Sequence, residues 1–328
     1  MTDGGGERSM TAPPERSERP GSLAIAERIL RTACGSRLRE SFSLASLTSF
    51  RIGGPAAFYL EPQDDSDLRA VAEAVRASGI EWIVIGKGSN ILVSDRGFDG
   101  LVVRLGKGFS WVARDGSRLW AGASLPLPRL AGVALAHSLA GLEFGVAIPA
   151  SLGGAVRMNA GAHAHSMDEV VDAIELYSIP EAERAVLPAQ TVGFRYRGSA
   201  IPDGSIVVGA TVVLRAGDTT AIRREMDEAR AWRRATQPLA EPNCGSVFKN
   251  PQGDHAARLI EAVDGKRLAV GGAAVSQKHS NFIVARPGAR ADDVLRLIDQ
   301  LQDRVEARFG ISLEPEVQLV GDFDVAPL

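Results

Sequence analysis

The sequence predicts an α+β fold, and three observations carry that reading. A strand–helix–strand unit runs from Ala57 to Ile85. A β-rich stretch broken by helices follows to about residue 217. After it, amphipathic helices alternate with short strands.

Taken in order, residues 1–21 are rich in Gly, Pro, Ser, Glu and Arg. They bury too little apolar surface to offset ordering entropy, so a disordered tail is expected. From Leu23, apolar residues at 25, 26, 29, 30 and 33 fit one face of a helix. Ala57–Leu60 reads as a strand. Asp64–Ser78 reads as a helix with acidic residues at its start and Gly79 just past its end, and Trp82–Ile85 as a second strand. Leu101–Leu105, Leu119–Ala123, Ala173–Ser178 and Ile206–Leu214 have strand character, with a helix over Pro126–Leu139. Thr219–Thr236 is a charged amphipathic helix and a candidate boundary. Helices are expected at Ala256–Val263 and Ala291–Phe309, the latter striped by Val294, Leu297, Ile298, Leu301 and Val305. Gly265–Val275, Phe282–Ala285 and Glu316–Val320 supply the last strands. The expected division is 22–93, 94–217 and 218–328.

Composition bounds the function. Among 328 residues, Lys+Arg 37 against Asp+Glu 40 leaves a net charge of −3, with no footprint for nucleic acid or an anionic membrane. The longest apolar region, Leu130 to Val156, is interrupted by His137, Glu143 and Pro149, which argues against a membrane span. The N-terminus shows no signal-peptide core. Two cysteines, Cys34 and Cys244, argue against a disulfide framework and point to a reducing, cytoplasmic setting.

Two glycine-rich turns are candidates for ligand binding. Gly145–Gly161 carries glycines at 145, 153, 154 and 161, with Ser151 and Asn159 as side-chain donors. Either it cradles a phosphate with backbone N–H groups or it is a tight buried turn. Gly86-Lys87-Gly88-Ser89-Asn90 follows a strand and matches neither the Walker A spacing nor GxGxxG. A strand connection and a phosphate turn both explain it.

Three further segments hold groups suited to proton or anion chemistry. In Asn243–Pro251, Gly245 leaves Ser246 accessible beside Lys249 and Asn250, as a proton donor or as a plain capping serine. There is no GxSxG elbow. Arg195-Tyr196-Arg197 reads as a strand with an arginine able to grip a carboxylate. Glu314 and Glu316 share one face of a terminal strand. His163 and His165 lack a third metal ligand, so no metal is expected.

The order of these motifs is more specific than any one of them. Thr48–Gly54, Gly86–Asn90, Ile148–Gly161, Tyr196–Ser199, Gly245–Pro251, Gly271–Ile283 and Glu314–Val317 follow one another in the chain. Together they resemble the UDP-N-acetylenolpyruvoylglucosamine reductase (MurB) family, in its shorter subtype without an extra substrate-covering loop. The resemblance implies a two-part FAD-binding module of the vanillyl-alcohol oxidase (PCMH) type and a C-terminal α+β substrate-binding domain. It implies non-covalent FAD, NADPH as co-substrate, a UDP-sugar substrate and a monomer. By the same resemblance, Gly86, Lys87, Gly88, Ser89, Asn90, Ile148, Pro149, Ala150, Ser151, Gly153, Gly154, Asn159, Ala160 and Gly161 would hold the cofactor. Arg197 would stabilise developing charge, Glu316 would partner the enol form and Ser246 would deliver a proton. Lys249, Asn250, Lys278, His279 and Asn281 would grip the substrate.

The chain departs from the family pattern at three positions. Ala150 stands where glycine is usual, Gln318 replaces an arginine, and Leu47 replaces an asparagine. Two rival readings are a flavin-linked oxidase tethering its cofactor through His163 or His165, and a sugar-nucleotide binding protein without turnover.

Overall fold

The computed structural model describes residues 19–324. The tail expected over 1–21 lies outside the described residues up to 18, whereas 19–21 open helix α1, Arg19–Cys34. Of the expected face of α1, Ala26 and Leu30 are buried, continued by Cys34 at the next helical step.

The first sheet contains β1 (Arg39–Ser43), β2 (Pro55–Leu60), β3 (Trp82–Val84) and, after a short strand β4 (Ile91–Val93), β5 (Phe98–Val103). Its order is β1-β2-β5-β3, antiparallel between β1 and β2 and parallel elsewhere. Helix α2, Asp65–Ser78, makes the crossover from β2 to β3. It starts where the Asp64 carboxylate accepts the N–H groups of Ser66 and Asp67, and it stops at Gly79, whose φ of 66° only glycine adopts cheaply. Leu68, Val71 and Ala72 of α2 pack on Leu60, Leu101 and Val103, and Ala26 and Leu30 of α1 join the same core. The expected division at 93/94 therefore runs through this sheet, because β5 pairs between β2 and β3.

The middle unit is a five-stranded antiparallel sheet ordered Glu183–Pro188, Val171–Ser178, Ser205–Val213, β7 (Arg118–Gly122) and β6 (Val112–Asp115). Helices α3 (Leu127–Ala136) and α4 (Leu152–Arg157) lie in the chain between β7 and the next long strand. Helix α5 occupies Thr219–Thr236 as the amphipathic pattern predicts. It buries Ile222, Met226 and Ala229 in the core of the middle unit, so it packs there although the expected division at 217/218 assigns it to the C-terminal part.

The last unit sets α6 (Ala256–Ala262) and α7 (Ala291–Phe309) against a three-stranded sheet, Ala269–Val270, Ala273–Val275 and Ile283–Ala285. All five residues of the predicted α7 stripe are buried. The strand expected over Gly265–Val275 is interrupted: Gly265–Arg267 is a 3₁₀ turn, and Gly271, at φ 51°, reverses the chain. Finally Gln318–Val320 returns to the first unit and pairs in parallel with β4. Arg290, ahead of α7, reinforces that return with an ion pair to Asp95 at 3.4 Å.

Candidate active site

A cavity of about 660 Å³ opens between the first sheet and the middle unit. That volume suits a cofactor-sized ligand. Of the residues expected to hold a cofactor, Gly86, Lys87, Ser151, Gly153 and Gly154 line it. The two glycine turns meet across it: a Cβ on Gly86 would stand 2.5 Å from Ser151 Oγ, and one on Gly153 would stand 2.9 Å from the Ala123 Cβ. The two turns thus approach at Gly86 and Ser151, while Gly153 packs on Ala123 outside both turns. Lys87, Arg104, Lys107, Arg129 and Arg157 add positive charge against only Glu61 and Asp203. Backbone walls with surplus cations fit a dinucleotide carrying a diphosphate. The lining arginines at 104, 129 and 157 are residues that sequence reading missed; nothing in their local pattern separates them from solvated surface charges.

Within the expected cradle, Leu152–Arg157 is helical, capped by Ser151 Oγ accepting the Gly154 N–H at 3.4 Å. Ala150 is not among the residues with positive φ. Its carbonyl accepts the Leu127 N–H at 2.9 Å, so an alanine meets the conformation without strain. The Ile148 carbonyl accepts the Ala150 N–H at 2.9 Å, which tightens the turn around Pro149. Gly88 serves the fold: its carbonyl accepts from Ser49 N at 2.9 Å, and a Cβ there would stand 2.0 Å from the Leu47 carbonyl oxygen. Ser89 turns its carbonyl toward Gly245. Ala160 and Gly161 lead into a small hairpin, where Gly161 pairs with Ser166. Asn159 is buried and fully employed. It donates to the Arg195 carbonyl at 3.2 Å and accepts the Asp168 N–H at 3.0 Å.

The expected strand at Arg195–Gly198 is instead a tight turn. Arg195 and Gly198 exchange backbone hydrogen bonds, and Arg197 sits at its tip with φ 53°. Asn159 anchors the base of this turn. The left-handed conformation, uncommon for a non-glycine residue, turns Arg197 toward Glu316, with Nε 3.1 Å from Oε1. The Nε–H is poorly aligned with that oxygen, so the contact is first an ion pair, and among the described residues this buried nitrogen has no well-aligned acceptor. An unsatisfied buried donor costs about 1–3 kcal/mol, and an incoming ligand acceptor would relieve it.

Glu316 is 16 % exposed. Burial raises its carboxyl pKa above the ordinary value, and the charges of Arg197 and Lys249 partly offset this. It precedes the regular strand, which begins at Gln318 rather than at 316. Its N–H donates to the carbonyl of Val247 at 2.7 Å, directly after Ser246. Ser246 is half-buried, behind Gly245 at φ 81°. Arg197 and Glu316 therefore meet from two separate segments, and the Ser246 segment is tied to Glu316 through the Val247 carbonyl. Cys244, just before them, is buried, and burial drives its thiol pKa up, which suits packing and not reactivity.

The expected substrate residues divide. Lys249 pairs with Glu314 and also faces Glu316. Asn250 accepts the Ala256 N–H at 3.1 Å, and its own N–H donates to the Tyr196 hydroxyl at 3.4 Å. Lys278 donates to the Arg234 carbonyl. His279 has its pKa lowered by burial and accepts the Asn281 N–H at 3.3 Å. Asn281 is buried and saturated by the Phe248 backbone, donating at 2.8 Å and accepting at 3.0 Å. Its side chain thus shapes the Ser246 segment.

His163 and His165 line a separate hollow of about 330 Å³ beside Phe144 and Trp232, away from the large cavity. Among the described residues no group of three His, Cys, Asp or Glu side chains could hold a metal ion. Among them too, no helix is long and apolar enough to cross a membrane.

Comparison with known proteins agrees with this geometry. Residues 56–182 match the model of an FAD binding domain, and residues 237–320 match that of the UDP-N-acetylenolpyruvoylglucosamine reductase C-terminal domain. The reductase of that name from Anaeromyxobacter sp. (strain Fw109-5) is 44 % identical over 94 % of this chain and 96 % of its own length. That from Heliobacterium modesticaldum is 46 % identical over 84 % of this chain and 88 % of its own. The crystal structure of MurB from Thermus caldophilus superposes with a TM-score of 0.76 at 34 % identity, covering 87 % of this chain and 100 % of that one. The FAD-binding domain thus supplies much of the lining of the large cavity, and the chain belongs to the UDP-N-acetylenolpyruvoylglucosamine reductase family, whose members are FAD-containing oxidoreductases.

Proposed function

We propose that this chain reduces UDP-N-acetylglucosamine enolpyruvate to UDP-N-acetylmuramate, with NADPH as reductant, as a step of peptidoglycan precursor synthesis. FAD, when bound in the large cavity, supplies the hydride transfer that links NADPH to the enolpyruvyl group. The chain's own residues hold the substrate and manage charge and protons. Arg197 neutralises the negative charge that builds up on the substrate carboxylate as hydride reaches the methylene carbon. Its orphaned buried Nε donor is the single observation that carries this reading, because a substrate carboxylate or enolate oxygen satisfies it. Glu316, largely withdrawn from water, partners the enol form on the other side. Ser246 delivers the proton that completes the lactyl ether. Its hydroxyl makes no hydrogen bond among the described residues, which leaves it available to substrate.

Lys249, beside Glu316, is suited to relay protons or to meet the substrate's charge. In this reading the units flanking the large cavity carry the cofactor, and the part from Gln237 onward carries the sugar nucleotide. The buried free thiols Cys34 and Cys244 suit a reducing, cytoplasmic setting.

The test is NADPH oxidation by the purified flavoprotein with and without the enolpyruvyl sugar nucleotide. Rapid, substrate-dependent oxidation is expected. Equal rates in both mixtures would overturn the proposal. Acid precipitation should release the flavin into solution, and a yellow pellet would favour a covalent oxidase.

A further inference from the structure

Glu316 lies two residues outside the ladder that Gln318–Val320 forms with β4, so regular pairing does not fix it. Its two backbone polar groups are nevertheless both held. The N–H donates to Val247 at 2.7 Å, and the carbonyl accepts two side-chain amides, Asn90 Nδ2 at 3.0 Å and Gln318 Nε2 at 3.3 Å. Asn90 also accepts the Gln318 N–H on its own carbonyl at 3.0 Å. Asn90 is half-buried and ends the turn whose first residues, Gly86 and Lys87, line the cofactor cavity. A hydrogen-bonded path thus runs from the cofactor turn through Asn90 and Glu316 to the segment of Ser246.

We propose that Asn90 and Gln318 are positioning residues that clamp the Glu316 carbonyl and so hold its carboxylate against Arg197. The proposal rests on the reading above only in taking Glu316 as a group of the reaction site. A carboxylate side chain pivots on its backbone. Released from the two amides, the Glu316 carbonyl loses its side-chain donors, while the segment before Gln318 stays tied on its other edge by the Glu316 and Val317 N–H groups to Val247 and by the Lys249 N–H to the Glu314 carbonyl. The charges that face Glu316 come from three elements: Arg197 on its turn, Lys249 on the Ser246 segment, and Glu314 two residues before it. The buried Cys244 thiol lies alongside. A small pivot changes the balance among them and admits water.

The experiment is a ¹³C-carboxylate titration of the full-length protein, with the Glu316 signal assigned by its loss in Glu316→Gln. It compares wild type with Asn90→Leu and Gln318→Met, which keep approximate shape and remove the donors. Ser94→Ala is the control, because it loosens the same strand return at Asp322 without touching Glu316. The Glu316 midpoint is expected to fall toward the ordinary carboxyl range in both donor variants, since burial is the largest influence on it, and to stay put in Ser94→Ala. In the flavin-loaded Gln318→Met protein, reoxidation by the enolpyruvyl substrate should slow about tenfold through kcat, with flavin reduction by NADPH unaffected. An unmoved midpoint in Gln318→Met, whose exposed side chain puts folding at little risk, overturns the proposal. So does an equal movement in Ser94→Ala. The titration needs neither NADPH nor substrate, so it decides the clamp even if the wild-type protein fails the turnover test.

Discussion

Around the large cavity the protein offers backbone: Gly86, Gly153 and Gly154 on two turns, with Gly86 close against the Ser151 hydroxyl and Gly153 close against Ala123. At the proposed reaction site it offers side chains: Arg197 from a tight turn at φ 53°, Ser246 from a loop, and Glu316 from just before the final strand. In the first region the Gly153 and Gly154 N–H groups are held by the Ala123 carbonyl and Ser151 Oγ, so local chain geometry sets its walls. The second holds an ion pair largely out of water, with an Arg197 Nε–H that lacks a well-aligned acceptor and a Ser246 hydroxyl that makes no hydrogen bond among the described residues. Such groups are costly in a resting protein and become useful only when a ligand completes them. Binding can be built from short sequence stretches, whereas this chemistry has to be assembled across the fold.

The sharpest way to separate the two regions is Ser246→Ala. Reduction of the bound flavin by NADPH should persist, while reoxidation by the enolpyruvyl substrate should fall by about 10³-fold, or about 4 kcal/mol. Comparable loss in both half-reactions, measured by stopped-flow absorbance, would make Ser246 part of the scaffold. Gly88→Ala should come next in size. Its φ of 61° disfavours any side chain, and the new Cβ would meet the Leu47 backbone carbonyl at 2.0 Å. A loss of about 3 kcal/mol of stability is expected from denaturant titration, with weaker FAD retention.

Gly86→Ala should cost only about 1 kcal/mol. The obstacle there is the Ser151 hydroxyl, which can rotate away at the expense of its cap to Gly154. If Gly86→Ala proved as damaging as Gly88→Ala, the view that Gly86 faces ligand space and Gly88 faces the fold would be lost. The smallest effect concerns Glu316→Gln and pH. The folded carboxyl pKa lies above its ordinary 4.5 because of burial. Its contribution to stability is therefore fully present below that value and is lost as pH rises through the folded pKa. Melting curves from acid to neutral pH should show wild type losing stability relative to Glu316→Gln over that interval, and parallel curves would contradict the assigned burial.

Much of the scaffold was legible because its signals are local. Helix α2 is bracketed by Asp64 and Gly79, and α5 and α7 span the residues that their apolar stripes mark. The strands that escaped notice, such as β1 with its largely exposed residues and Glu183–Pro188, lie at sheet edges, where one face or both meet water and alternation fades. Helix α4 was hidden inside a glycine-rich run with low helical propensity; packing of Leu152, Ala155 and Val156 into the middle core overrides it.

By itself the sequence determined which segments are candidates for the chemistry, since glycine spacing, the serine loop and the terminal glutamate are written in residue types and order. It also determined the family, through the succession of those motifs. The tertiary structure alone decided what each residue does within its segment. Asn90 turned from a member of the cofactor turn into a tie on Glu316, and Asn281 and Asn159 proved to be saturated by backbone groups. It also decided that Arg197 stands on a turn, with Nε left without a hydrogen bond. The physical reason is range. Backbone conformation answers to neighbours a few residues away, whereas burial, ion pairing and hydrogen-bond satisfaction depend on partners such as Asn90 and Glu316, which the chain brings together only when folded.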